Sequence, residues 1–209
     1  LTELEDDQLR LVATDGRRLS MALIPVEMKG MEAKRAIVPT KGMQLFCRVI
    51  SDPLDQVKLA LRDDQVGLIS KNAEIFARLI DGDFPQYQAV IPAECGNRIE
   101  ADTEQFTRKL RLVSNVSGDE TRAVRLRVKG DQLEMYGHSA GRGEATAHMD
   151  VHFTGEDSDI AFNPDYVLDG IKNGQPEKVV LEFAQKTSPG KFTFSENHVY
   201  IVMPITLDA

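Results

Sequence analysis

A weak internal repeat runs through the sequence, and it favours two units of one architecture over a single continuous domain. The matching landmarks are Asp7-Gln8-Leu9 with Asp131-Gln132-Leu133, Pro39 with Pro164, Val57-Lys58-Leu59 with Val179-Val180-Leu181, and Phe76 with Tyr200. Their offsets lie between 122 and 125 residues. Four landmarks at nearly one offset are hard to obtain by chance, so we expect both copies to fold into similar units.

The second copy carries an opening segment that the first copy lacks. A strand at 97–101, a helix at 102–115 and a strand at 122–128 are predicted before Asp131, whereas only residues 1–6 precede Asp7. The spacing therefore predicts that the sequence begins inside its first unit. The segment 91–96 contains proline and glycine, which makes it the expected boundary between a first domain at 1–92 and a complete second domain at 93–209.

Short β-rich runs and three amphipathic stretches predict an α+β fold with mostly antiparallel strands. The predicted strands are 9–13, 19–24, 57–61, 66–70, 74–80, 132–136, 144–153, 178–183, 191–195 and 199–203. The predicted helices are 41–50, 102–115 and a third that begins at Asn163-Pro164-Asp165 and stops at Asn173-Gly174. Asn163 suits the N-cap and Pro164 the first helical position, which supports that third start.

Charge and cysteine content exclude several classes of protein. The 209 residues include 25 Lys and Arg against 33 Asp and Glu, a formal net charge of −8, with two cysteines, Cys47 and Cys95. Two cysteines are too few for a secreted disulfide framework and match no zinc-ligand spacing. No apolar run reaches the roughly 18–20 residues that span a bilayer. We therefore expect a cytoplasmic protein with no metal, no cofactor and no membrane partner.

No convergent catalytic motif is present in the sequence. His148 and His152 have a four-residue spacing, but an alternating strand would place them about 13 Å apart on one face. Gly141-Arg142-Gly143 fits a hairpin tip better than a phosphate loop. A small hydrolase that uses His138 or His148 is the enzymatic alternative, and loss of activity after a His-to-Ala change would identify it.

Basic residues lie on the polar faces of the predicted helices. They are Lys41 and Arg48 on the first helix, Arg108, Lys109 and Arg111 on the second, and Lys172 at the end of the third. An acidic protein with cations on its few helices could present a positive surface to a polyanion. The alternative is an ordinary solvated face with cations near the helix C-termini.

The C-terminal segment 200–207 is almost wholly apolar, but Pro204 prevents all of it from being an interior strand. One interpretation is a last strand tucked into the core. The other is a strand whose tail lines an apolar groove for a partner peptide.

The sequence contains several distinctive motifs: Leu11-Val12-Ala13-Thr14-Asp15-Gly16-Arg17-Arg18-Leu19, Val38-Pro39-Thr40-Lys41-Gly42, Leu79-Ile80-Asp81-Gly82-Asp83-Phe84-Pro85-Gln86-Tyr87, Phe162-Asn163-Pro164-Asp165-Tyr166-Val167-Leu168-Asp169 and Val202-Met203-Pro204-Ile205. These motifs resemble those of the bacterial DNA polymerase III β subunits, the sliding clamps. They follow the family's order and span nearly the whole chain. The chain thus resembles most of the second clamp domain, N-terminally truncated, followed by the complete third domain.

The resemblance implies a noncatalytic processivity clamp: a head-to-tail homodimeric ring around duplex DNA, with antiparallel sheets outside and helices on one inner face. Five cations would then face the DNA and contact its phosphates without reading sequence, namely Lys41, Arg48, Arg108, Arg111 and Lys172. The implied partners are the replicative polymerase, the clamp loader and repair proteins, each bound through a short apolar peptide.

In the family, these peptides bind an apolar pocket between the second and third domains. The matching positions are Thr14, Gly16, Arg17, Arg18, Leu19, Pro85, Val90, Val202, Met203, Pro204 and Ile205. Such a groove suits a peptide with Leu or Phe anchors. Ala89, Thr206 and Thr40 stand where a basic residue is common in the family, so we expect an altered peptide preference and a weak DNA contact near Thr40.

The resemblance also implies that the third domain pairs with the first domain of another protomer through the helix that contains Leu112 and Val113. Because that first domain is not part of this sequence, we expect the fragment to be unable to close the ring. A third hypothesis is a β-rich scaffold that binds peptides but never DNA. Salt-independent behaviour, and no effect of changes at Lys41 or Arg111, would identify it.

Overall fold

The computed structural model of the chain describes residues 1–28, 32–50, 52, 54–118 and 122–207. The chain forms two compact units: the first contains Leu1–Val12 and Leu23–Gln86, and the second contains Ala13–Ala22 and Tyr87–Ala209. Residues 13–22, the tip of a hairpin, therefore belong to the second unit. None of the helices within the described ranges has the length and apolar character that crossing a bilayer requires.

Antiparallel strands dominate the secondary structure, which confirms the α+β class. The strands of the described residues are β1 (Thr2–Glu5), β2 (Gln8–Thr14), β3 (Arg18–Pro25), β4 (Lys34–Ala36), β5 (Lys58–Leu61), β6 (Gln65–Ile69), β7 (Glu74–Arg78), β8 (Asn97–Asp102), β9 (Val124–Lys129), β10 (Gln132–Ser139), β11 (Gly143–Asp150), β12 (His152–Thr154), β13 (Ser158–Phe162), β14 (Lys178–Phe183), β15 (Gly190–Ser195) and β16 (His198–Val202). The helices are α1 (Thr40–Val49), α2 (Thr103–Ser114) and α3 (Pro164–Gly174), and a short 3-10 helix covers Tyr87–Val90.

In the first unit, β1 pairs with β2 and β4, and β5, β6 and β7 form an antiparallel meander. Helix α1 covers the core by burying Phe46 in a cluster that includes Leu61, Val66 and Leu68. The helix lies close to β7, since a Cβ atom added to Gly42 would be 2.9 Å from the Cβ of Ala77. A glycine at this position of α1 thus permits the close packing of helix on strand.

In the second unit, one sheet has the order β11-β10-β9-β13, and a second has the order β12-β8-β14-β15-β16 with residues 18–22 of β3 beside β16. Helices α2 and α3 pack against each other and close the core. Phe106, Leu110 and Val113 of α2 are almost fully buried, and their spacing of three and four residues is that of one helix face.

The internal repeat is confirmed by the order of the elements. Strands β2, β4 and β7 and helix α1 begin 124 residues before β10, β13, β16 and α3, respectively. The pairing also repeats, because β9 pairs with β10 and β13 in the way that β1 pairs with β2 and β4. Strand β8 and helix α2 belong to the second copy and precede its first repeated strand, as the spacing predicts.

One landmark of the repeat joins side chains in different environments. Phe76 is half exposed and lies over Gly67 on the face of its sheet away from the core, whereas Tyr200 is 7% exposed and packs into the core. Neighbouring residues of a strand point to opposite faces, and it is Ile75 and Ala77 that pack against the first unit's core. Phe76 and Tyr200 are both the third residue of their strands, but only Tyr200 faces the core of its unit, so the two side chains are not equivalent.

The predicted helix ends agree with the structure to within a residue. Asp102 is the N-cap of α2 and accepts a hydrogen bond from Gln105 N, and Asn163 is the N-cap of α3 and accepts one from Asp165 N. The predicted stop at Asn173-Gly174 is one residue early, because Gly174 is still helical and Gln175 adopts the left-handed conformation. Gly174 is needed inside α3, since a Cβ there would lie 2.2 Å from the ring of Phe194.

The predicted strand at 144–153 is two strands in two different sheets. The chain leaves β11 at Asp150 and enters β12 at His152, which pairs with β8. His148 and His152 therefore do not share a sheet face, and the expectation that they do is wrong. Among the described residues, no group of three or more His, Cys, Asp or Glu side chains is placed to hold a metal ion.

Candidate functional site

The turn between β2 and β3 is held by its own side chains. Thr14 Oγ1 donates to the carbonyl of Arg18 at 2.8 Å and accepts from Gly16 N at 3.1 Å. Asp15 Oδ1 accepts from the backbone N–H groups of Arg17 and Arg18, both at 3.0 Å. Gly16 has a φ of 84°, a conformation that favours glycine. The turn therefore presents Arg17 and Arg18 in fixed backbone positions.

The Arg18 side chain joins three elements of the second unit. Its Nε donates to Asp15 Oδ2 at 2.9 Å in the turn, and its Nη1 donates to Asp169 Oδ2 at 3.0 Å on α3. The guanidinium carbon lies 4.6 Å from the centre of the Tyr166 ring, within the range of a cation–π contact. Tyr200 of β16 completes the group, because its hydroxyl is 3.5 Å from Nη1 and donates to the carbonyl of Tyr166 at 2.9 Å.

The contacts of Arg18 and Asp15 favour the charged form of both side chains. Burial disfavours the charged guanidinium, but hydrogen bonds to Asp169, Tyr200 and Asp15 raise the pKa of Arg18 above its usual value. Burial likewise disfavours the carboxylate of Asp15, but the backbone N–H groups and side chain of its neighbours lower its pKa. Both partners are therefore charged at neutral pH, and the arginine is a fixed cation.

The C-terminal tail is held next to this turn by two backbone hydrogen bonds. Strand β16 pairs with β3 in the register Ile201 with Leu19 and Val202 with Arg18. Beyond the strand, Met203 N donates to the carbonyl of Arg17 at 2.9 Å, and Ile205 N donates to the carbonyl of Ala161 at 2.8 Å. The tail thus leaves β3 and crosses to the end of β13, just before α3.

The predicted pocket residues differ in how far their side chains are exposed to a ligand. Thr14, Gly16, Arg17, Val90 and Met203 are exposed, as is Pro85 in the first unit, while Arg18, Pro204 and Ile205 are half-buried and Leu19 is buried. Val202 is 0% exposed and lies in the core of the second unit. Its side chain cannot contact a ligand, so the assignment of Val202 to the pocket wall is wrong. Val202 is the last residue of β16, and the exposed Met203 is the first residue after the strand.

Comparison with known proteins identifies the family along nearly the whole chain. Residues 1–86 match the model of the central domain of the DNA polymerase III beta subunit, and residues 88–206 match the model of its C-terminal domain. The chain belongs to the DNA polymerase III beta subunit family.

Curated relatives in this family are named beta sliding clamp. The protein from Haemophilus influenzae is 31% identical over 98% of this chain and 56% of its own length, and the Escherichia coli protein is 28% identical over 99% and 57%. The chain therefore spans a little over half the length of the relatives it matches.

Solved beta subunit structures share the fold. The sliding clamp from Pseudomonas aeruginosa bound to griselimycin has a TM-score of 0.93 and 25% identity over 99% of this chain and 56% of its own. The beta subunit from Thermotoga maritima has a TM-score of 0.91 and 27% identity over 99% of this chain and 57% of its own. The clamp fold expected from the sequence is thus confirmed.

The five cations expected to face DNA in a beta subunit are all exposed. They are Lys41 and Arg48 on α1, Arg108 and Arg111 on α2, and Lys172 on α3. None of them forms a salt bridge within the part of the chain that the structure describes. By contrast, cations on the sheets of the second unit pair with acids, as Arg125 does with Asp159 and Lys191 with Glu182.

The two residues expected at the interface with another beta subunit differ in exposure. Leu112 is 59% exposed on α2, which suits a protein contact. Val113 is 0% exposed and packs against Gly137 in the core, where an added Cβ would lie 2.9 Å from a Val113 methyl group. Val113 is therefore a core residue, and its assignment to the interface is wrong.

Sequence reasoning missed three residues of the Arg18 group: Tyr166, Asp169 and Tyr200. The first two lie three residues apart on α3, which places them on one helix face, but nothing in that spacing identifies their partner. A cavity of about 530 Å³ was also unexpected. It lies beside the start of α2, away from the Arg18 group, and is lined by Asp102, Thr103, Glu104, Thr107, Arg108, Arg111 and Glu177.

Proposed function

We propose that this chain is part of a noncatalytic sliding clamp that confers processivity on the replicative DNA polymerase by encircling duplex DNA and docking partner peptides. The match to both domain models of the beta subunit is the observation that carries this proposal. In a family whose curated relatives are named beta sliding clamp, the chain needs no active site of its own for this role. We assign residues 1–92 to clamp domain II and 93–209 to clamp domain III.

The helix cations that form no salt bridge with any described residue support contact with DNA. Arg108, Arg111 and Lys172 lie on two helices of the second unit that pack against each other. A sliding protein needs phosphate contacts that carry no sequence information, because base readout would hold it at one site. Exposed cations that form no salt bridge with another described residue meet this need, since each can neutralise a phosphate.

The tail and the turn support peptide docking in the second unit. Met203 is 38% exposed and Val90 is 37% exposed. Pro204 and Ile205 are half-buried residues of the tail, and the tail's backbone is already hydrogen-bonded at Met203 and Ile205. Pre-ordered apolar residues bind a peptide at a low entropic cost. We propose that this surface takes Leu or Phe anchors from the polymerase, the clamp loader and repair proteins, and that it also takes griselimycin.

The complete protein is proposed to work as a cytoplasmic homodimer. The exposed Leu112 of α2 is the contact residue that we propose for the other protomer. The surrounding helix face is polar and basic, so Leu112 is the apolar anchor of that contact.

Calorimetric titration with griselimycin tests the docking site. We expect Met203→Ala to weaken binding at least tenfold, because it removes an exposed apolar anchor. Leu112→Ala is the matched control, since Leu112 is an exposed apolar residue of the same unit on a different element. Equal affinities for the wild type and Met203→Ala would refute this location of the site.

A further inference from the structure

Asp169 is the acid that connects Arg18 to α3. We propose that Asp169 is a positioning residue of the peptide site: its carboxylate holds the Arg18 guanidinium over the Tyr166 ring and so fixes the turn beside the C-terminal tail. This inference rests on the proposed peptide-docking function and names a residue that the family motifs did not assign to the pocket.

The two acids that pair with Arg18 act differently. Asp15 belongs to the same turn, so its ion pair stiffens the turn but can move with it. Asp169 lies 151 residues away in the sequence, at 3.0 Å from Nη1. Only the second contact orients the turn relative to α3, because it joins two separate elements.

The position of Asp169 is itself well defined. The next residue, Gly170, lies so close to Tyr200 that an added Cβ would be 2.4 Å from Cε1 of the ring. Tyr200 in turn hydrogen-bonds the carbonyl of Tyr166 through its hydroxyl. Helix α3, strand β16 and the turn therefore meet at the Arg18 side chain, and Asp169 projects from the closely packed part of α3.

This group of residues lies next to the backbone of the tail. Val202 is the register partner of Arg18, and Met203 N donates to the carbonyl of Arg17. A shift of the turn would therefore move the hydrogen-bond acceptor of Met203. Loss of Asp169 should weaken ligand binding without removing any apolar contact.

The contribution of Asp169 to folding should be small. Its side chain is 57% exposed, and exposed ion pairs contribute little to stability. Helix α3 also offers a matched control: Asp165, one turn earlier, pairs with Arg122 at 2.6 Å and is 44% exposed. Asp165→Asn therefore removes a comparable ion pair from the same helix without touching Arg18.

The test is calorimetric titration of the chain with griselimycin, at low and high salt. We expect Asp169→Asn to weaken binding about fivefold, the scale of one exposed ion pair, and Asp165→Asn to leave it unchanged. Asp169→Glu should restore part of the affinity. A double-mutant cycle with Arg18→Gln should show that the effect of Asp169→Asn disappears when Arg18 is absent.

The outcomes separate this inference from the proposed function. If the wild type binds griselimycin and Met203→Ala weakens that binding, but Asp169→Asn behaves like Asp165→Asn, the positioning role is refuted and the docking function stands. If Asp169→Asn lowers affinity equally with and without Arg18, the carboxylate does not act through Arg18, which also refutes it. If the wild type does not bind, the docking function fails and the inference fails with it.

Discussion

Truncation of two adjacent residues should have different consequences: Val202→Ala should mainly lower stability, and Met203→Ala should mainly weaken ligand binding. Val202→Ala removes two carbon atoms from a fully buried site, which loses about 1.6 kcal/mol of transfer free energy, and the cavity raises the loss in unfolding free energy to about 2–3 kcal/mol. Met203→Ala should cost less than about 1 kcal/mol, because Met203 is 38% exposed, but it should weaken ligand binding at least tenfold.

Urea denaturation monitored by tyrosine fluorescence measures the difference in unfolding free energy between the two variants, and it reports on the second unit. The chain has no tryptophan and four tyrosines, all in the second unit: Tyr87, Tyr136, Tyr166 and Tyr200. A loss of 2–3 kcal/mol should lower the urea midpoint by about 1 M or more. Val199→Ala is the control, because it makes the same change at a partly exposed position of β16.

Two patterns of results would contradict the buried position of Val202 and the exposed position of Met203. If Val202→Ala left the urea midpoint unchanged and weakened griselimycin binding as much as Met203→Ala does, then Val202 would line the site and the assigned face of β16 would be incorrect. A drop in the midpoint after Met203→Ala as large as that after Val202→Ala would contradict the exposed position of Met203.

Three further perturbations test other parts of the second unit. Gly170→Ala should lower the unfolding free energy by about 1–2 kcal/mol in urea denaturation, because overpacking against Tyr200 exceeds the gain in helix propensity. Arg111→Gln with Lys172→Gln should reduce the slope of log K against log salt for duplex DNA by up to about 2, and an unchanged slope would exclude these cations from the DNA contact. Burial lowers the pKa of His198, so its contribution to stability is present above the ordinary pKa of 6.5 and is lost as the pH falls below it. His198→Gln should therefore flatten the pH dependence of the urea midpoint between about pH 7 and pH 5, and an unchanged curve would contradict this assignment.

Features that depend on a few neighbouring residues could be predicted from the sequence. The N-caps Asp102 and Asn163 act within one turn, so their residue types identify the helix starts. The end of α3 was harder, because Gly174 resembles a helix stop but is required for close packing against Phe194. A glycine signals freedom of the backbone or the absence of a side chain, and the sequence does not distinguish these two uses.

The sequence motifs identify the segments that form the candidate site, but they do not show which side chains of those segments are exposed to a ligand. The motif Val202-Met203-Pro204-Ile205 locates the tail. It does not show that Val202 is buried and Met203 is exposed, because this difference arises where β16 pairs with β3 in the folded chain. Likewise, the turn residues were expected, but the partner of Arg18 on α3 was not. A contact between residues 151 positions apart depends on the completed fold and leaves no local pattern in either segment.

The net charge of −8 does not show where positive charge is exposed, because this depends on which cations form salt bridges with the acids. On the sheets of the second unit, acids lie within salt-bridge distance of cations, as Glu100 does with Arg98 and Lys178. Arg108 and Arg111 of α2 have no such partner among the described residues, although Lys and Arg are outnumbered in the whole chain. A surface field depends on charges within about a Debye length, roughly 8–10 Å, and Asp102, Glu104 and Glu177 line the same cavity as Arg108 and Arg111, so acids lower the positive field at this end of α2 without pairing with the two arginines. The proposed DNA contact therefore depends on individual cations that lack a salt bridge and not on a uniformly positive helix surface.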